Sequence, residues 1–153
     1  MNLVGKRLFF AWLSLALAGA LVATTALAKD WTGAGSSDWF NDANWANPAA
    51  HPVDGDSVVI TSTGASPLLT NSTAALTSLE IVSGTLTCSN WSTAINAANV
   101  TIRNTGKIAL PPAFTTSEMS NRVRITCSTL TVDAGGMIDA NEKGYAVGYG
   151  PGL

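Results

Sequence analysis

The chain has 153 residues, a formal net charge of −2, two cysteines and a single histidine. Its charged residues form no basic stripe, which argues against nucleic acid as a partner. Two isolated cysteines and one histidine do not make a zinc-ligand spacing.

The first element is an export signal. Lys6 and Arg7 precede an uncharged apolar run from Leu8, and Ala26-Leu27-Ala28 ends it just before Lys29 and Asp30. This is the three-part layout of a secretory signal peptide cleaved after Ala28. A retained anchor is the alternative, since the run is long enough to span a bilayer. Without residues 1–28, six basic residues face ten acidic ones, a formal charge of −4. The remaining length fits one small domain. Export makes a disulfide between Cys88 and Cys127 chemically permissible, with two buried free thiols as the equal alternative.

Residues 29–56 come next, with Trp31, Trp39, Phe40 and Trp45 set among Gly, Ser, Asn and Asp. Exposed aromatic rings stack on sugar faces, so carbohydrate contact is one role for these side chains. Trp39 and, further on, Trp91 are the candidates for it. Trp31 and Trp45 are expected to turn inward and cover apolar surface. Asp38, Asn41, Asp42 and Asn44, followed by Asp54 and Asp56, raise calcium as a candidate ligand. The same residue types are the default formers of turns, and no cofactor is the favoured expectation. His51 sits beside Pro52 in a turn-rich loop, with no partner suggested.

From Ser57 to Ala140 the pattern is short alternating apolar pieces separated by Gly, Asn or Asp, which predicts β-strands and turns. Ile60, Ile81 and Ile102 are each 21 residues apart, and a further copy follows at Leu130-Thr131-Val132 after an insertion around 111–120. Leu79-x-Ile81-x-x-Gly84-x-Leu86 recurs with one added residue as Val100-x-Ile102-x-x-x-Gly106-x-Ile108, then as Leu130-x-Val132-x-x-x-Gly136-x-Ile138. A fixed period near 20 residues is the mark of a solenoid, here an all-β parallel β-helix with residues 29–56 as its N-terminal cap. An antiparallel β-sandwich is the alternative. Arg103, Arg122 and Arg124 are candidates for a base or an anion contact, and Arg122 and Arg124 are expected to share one strand face. The Gly-rich tail, residues 141–153, ends without a recognisable cap, so the chain reads as the beginning of something longer.

The opening Trp31-Thr-Gly, Trp39, Asn44-Trp45, Pro52-x-Asp54-Gly-Asp56-Ser-Val58-Val59-Ile60 resembles the start of large secreted bacterial surface proteins with a right-handed parallel β-helix of the pectin-lyase type. Ile81-Val-Ser-Gly-Thr-Leu86-Thr resembles the autotransporter-associated strand repeats of adhesin-like proteins, and Gly144-Tyr145 with Gly150-Pro151-Gly152 is similar to a segment leading into their glycine-rich stretches. The resemblance implies secretion or surface display and carries no catalytic residues. The reading is therefore a non-catalytic structural or adhesion module that meets extracellular polysaccharide or another surface partner. Its alternative is the N-terminal part of a β-helix carbohydrate-active enzyme, a polysaccharide lyase or hydrolase, whose catalytic coils lie beyond Leu153.

Overall fold

The computed structural model describes residues 28–61, 63–115 and 119–150. Except for Ala28, the expected signal segment lies outside the described residues. The fold is all-β: nine strands form one mixed sheet that does not close on itself. The strands are β1 (Lys29–Trp31), β2 (Trp45–Ala46), β3 (Ser57–Ile60), β4 (Leu68–Leu69), β5 (Leu76–Cys88), β6 (Ile95–Ala109), β7 (Ile125–Thr126), β8 (Thr129–Val132) and β9 (Met137–Asp139). Among the described residues the one helical element is a single 3-10 turn, Asp42–Asn44.

The spacing of apolar residues in the sequence becomes the register of the sheet. Strands β1, β3, β5, β6 and β8 pair in parallel in that order. Trp31, Ile60, Ile81, Ile102 and Val132 fall in one column, and Val58, Leu79, Val100 and Leu130 in the next inward one. Successive side chains of a strand point to opposite faces, so the residues between them face out: Asp30, Val59, Glu80, Thr101 and Thr131. A second set of columns runs through Leu69 and Cys88, and through Leu86, Ile108 and Ile138. The core is the sum of these columns, with Val58, Ile60, Leu79, Ile81, Leu86, Val100, Ile102 and Ile108 all buried.

Two long strands each serve two columns. Strand β5 pairs with β3 through its first half and with β4 through its second, and β6 does the same with β8 and β9. Gly84 and Gly106 are partners between the halves. Gly84 adopts φ +83°, where a side chain would be strained. A Cβ on Gly106 would lie 2.3 Å from the Ile81 carbonyl oxygen, so the layers approach too closely there for any side chain. The register slips by one residue just after Ile81 and Ile102. This bulge is the added residue seen in the spacing Ile102-x-x-x-Gly106.

Two expected details differ. The span Val123–Cys127 reads as a strand, yet only Ile125–Thr126 is extended and paired, to Ile95 and Asn96 of β6. Arg122 therefore lies off the strands, and Arg122 and Arg124 do not share a strand face. The tail is also tied down: Phe114 of the insertion forms a parallel bridge with Tyr145, their rings 4.5 Å apart.

Candidate functional site

The tryptophan-rich segment is built from the backbone outward. Strand β2 runs antiparallel on β1 and pairs Trp45 with Trp31. Asn44, fully buried, holds the loop that joins them. Its side-chain oxygen accepts from the amides of Gly35 and Ser36, each at 2.8 Å, and its amide donates to the Asp38 carbonyl at 2.7 Å. That framework stacks Trp31 and Trp39 edge-on against Trp45, with ring centroids 5.0 and 4.8 Å apart. Trp31 Nε1 donates to the Ala65 carbonyl and Trp45 Nε1 to the Trp39 carbonyl. Trp31 completes the column of Ile60 and Ile81, so its ring covers the end of the core as expected.

Trp39 does not fit the sugar-contact role. It is 0% exposed, and its Nε1 is buried without a hydrogen-bond partner. A ring enclosed by Trp45 and the core offers no face to a ligand.

Trp91 is the opposite case. It sits in the turn between β5 and β6, is 44% exposed, and carries the Arg122 guanidinium 4.5 Å from its ring centroid. Arg122 Nε is buried and lacks a hydrogen-bond partner, so the cation–π contact fixes the guanidinium plane while Nε stays unbonded. Arg124, two residues on, is exposed, and its carbonyl accepts from the Ile95 amide. The sequence marks Trp91 and Arg122 separately. Their juxtaposition depends on how the insertion folds back, which no local pattern encodes.

The Asp and Asn side chains that raised calcium as a candidate are committed to the backbone. Asp38 accepts from the Phe40 amide at 3.0 Å, Asn41 from Ala43 at 3.0 Å, Asp54 from Ala75 at 2.8 Å and Asp56 from Val53 at 2.9 Å. Asp42 takes both the amide and Nδ1 of His51, at 2.9 and 2.5 Å. These bonds hold the Asp42 carboxyl below its ordinary range. His51 thus has a partner that the sequence did not point to, and its ring lies edge-on to Phe40 at 6.1 Å. Among the described residues, no group of three or more His, Cys, Asp or Glu is placed to hold a metal ion.

Arg103 stands in an ion-pair ladder between layers, 2.7 Å from Glu80 and 3.2 Å from Asp133. Both contacts raise its affinity for the proton, the Glu80 bond first. The two cysteines are free. Cys88 closes β5, whereas Cys127 precedes Ser128, whose amide bonds Ala98 on the far side of β6. A whole strand separates them, which is why the permissible disulfide does not form. Burial pushes the Cys88 thiol up to about 12. No known family profile, curated protein or solved structure matches this chain.

Proposed function

We propose that this chain is a non-catalytic, exported or cell-surface module, built as a right-handed parallel β-helix, that contacts extracellular polysaccharide through Trp91 and Arg122. The observation that carries this reading is the five-layer column Trp31–Ile60–Ile81–Ile102–Val132. Stacking identical short strands at about 4.8 Å spacing makes a rigid rod whose outward positions are free to vary. Such a rod displays surface; its polar side chains serve the frame.

Trp91 is the exposed tryptophan of the described residues, and the guanidinium on its ring favours a sugar bearing carboxylate groups. An aromatic face gives stacking area and the cation gives charge recognition. Retention on an insoluble acidic polysaccharide is the expected result. Trp91→Ala and Arg122→Gln should each weaken it about tenfold, the scale of one lost contact of roughly 1.4 kcal/mol. No retention on any polysaccharide would sink the contact, and turnover of any of them would sink the non-catalytic reading.

Export is tested separately. In a bacterial secretion host the mature chain should begin at Lys29, the first residue of β1, as read by intact-mass measurement. Chelator and excess calcium are expected to leave its melting unchanged, since the cap oxygens already accept from backbone amides.

A further inference from the structure

We propose that Asn121 is the positioning residue of the Trp91–Arg122 pair, on the reading of that pair as the polysaccharide contact, and that it couples the pair to the docking of the tail. Trp91 is held through its neighbour. Asn90 adopts φ +76°, and its Nδ2 donates to the carbonyl of Thr70, just after β4, at 2.8 Å. Arg122 has no comparable hold of its own. Its guanidinium lies 4.5 Å from the Trp91 ring centroid and its Nε is buried without a partner. None of the ion pairs among the described residues includes it.

A long cation resting on one ring face loses rotamer freedom in return for a single weak contact. The backbone that carries it must therefore be fixed by something else. On one side the Arg124 carbonyl accepts from the Ile95 amide at 2.9 Å. On the other side stands Asn121. Its Nδ2 lies 2.8 Å from the Lys143 carbonyl, 3.0 Å from that of Pro112 and 3.2 Å from that of Pro111. A carboxamide nitrogen carries two N–H groups, so three acceptors share them and one proton is split.

Pro111 and Pro112 begin the insertion, whereas Lys143 belongs to the tail. The tail is kept there by the Phe114 amide bonded to Gly144, the Ala146 amide bonded to Phe114, and the Phe114–Tyr145 ring contact. At Asn121 the insertion, the tail and the arm that carries Arg122 therefore meet. Without its two donors, the chain before Arg122 is released and the Ile95 bond holds only the chain after it. The guanidinium then leaves the ring, and Trp91 remains as a bare aromatic face. Groups that lock the backbone of a binding side chain set how well it is preorganised. The core columns do not depend on this segment, because β5 and β6 pair directly.

Nuclear magnetic resonance of the mature chain reads the contact without any sugar. The Arg122 protons over the indole should be shifted upfield by its ring current, and Trp91→Leu should abolish the shift. Asn121→Ala should remove most of the shift and leave the Ile81 and Ile102 amide resonances in place. Tyr145→Ala frees the tail at its ring contact and should remove a smaller part, since the Pro111 and Pro112 carbonyls remain. Retention on an acidic polysaccharide should fall about tenfold in Asn121→Ala, as in Arg122→Gln. The double variant should fall no further, because both substitutions act through one contact. No upfield shift in the unaltered chain, an unchanged shift in Asn121→Ala, displaced Ile81 and Ile102 resonances, or losses that multiply in the double variant would each overturn the proposal. If no polysaccharide is retained, the sugar contact fails, while the ring-current shifts still decide the role of Asn121.

Discussion

The two ends of the strand stack begin from the same columns and finish differently. At the β1 end, three tryptophans, an antiparallel strand and a buried lysine replace the next layer. At the β8–β9 end, Leu130, Val132 and Ile138 repeat the core pattern and stand partly in solvent. A parallel stack can be extended by repetition, whereas terminating it takes residues that appear nowhere else in the repeat. Bulk covers the apolar cross-section, reversed pairing satisfies the edge backbone, and charge makes further stacking costly.

The sharpest chemical contrast between interior and edge lies in the cysteines. Burial pushes the thiol of Cys88, inside its column, up to about 12, which suppresses the reactive thiolate. Cys127 is half-buried, on the side of β6 that faces the open edge. Under native conditions iodoacetamide should label Cys127 and leave Cys88 intact, with both labelled in denaturant. Equal native labelling would show that the columns are not closed around Cys88.

The largest effect on stability is expected at the closed end. Trp31→Ala or Trp45→Ala removes a buried indole, a loss of about 3–5 kcal/mol, together with the bond to Ala65 or to the Trp39 carbonyl. Val132→Ala at the open end should cost well under half of that. Trp39→Phe should cost less than Trp45→Phe, because the Trp39 N–H has no partner to lose. Urea unfolding of the five variants checks the ranking. If Val132→Ala cost as much as Trp45→Ala, the edge would be covered in the state that unfolds.

The sequence made the closed end and the columns legible for different reasons. The period between Ile60, Ile81 and Ile102 is a direct image of register, since parallel strands one layer apart must be one repeat apart in sequence. Even the bulge is visible there, as the extra residue before Gly106. The inward turn of Trp31 follows from its place directly ahead of the first layer. The fate of Trp39 does not, because it rests on the Asn44-centred loop that folds it under Trp45. The Trp91–Arg122 contact and the His51–Asp42 pair are long-range products of loops, whose partners are set by packing and carry no periodic signal. The spacing of Arg122 and Arg124 reads as alternation on a strand, but pairing along β7 begins only at Ile125.

Lys29 tests how charge terminates the stack. It lies in register with Val58, an inward position, yet its ammonium is buried, 3.1 Å from the Ala50 carbonyl and 3.7 Å from Asp56. Lys29→Ala leaves that carbonyl without its donor and Asp56 without its cation, costing about 1–3 kcal/mol. Lys29→Met keeps the apolar stem and should recover part of the loss. A larger loss in Met than in Ala would mean that packing of the stem contributes nothing.

The smallest expected effect separates the two ends by pH. Asp42, in the cap, is held below the usual carboxylate range by the amide and ring of His51. Asp139, at the open end, is lowered first by the Asn141 amide, with Lys107 adding to it. A carboxyl depressed in the folded state contributes stability that is present above its ordinary value of 3.8 and is lost as pH falls through the folded value. Acid unfolding should therefore steepen below that point, and Asp42→Asn or Asp139→Asn should each flatten part of the slope. Both groups are exposed, so each contribution is slight. Carbon-detected titration of the two carboxyls resolves them directly, with both midpoints expected below 3.8. A normal midpoint for Asp42 alone would show that the His51 loop is not fixed to the cap, and would leave the tryptophans, β2 and Lys29 to close this end.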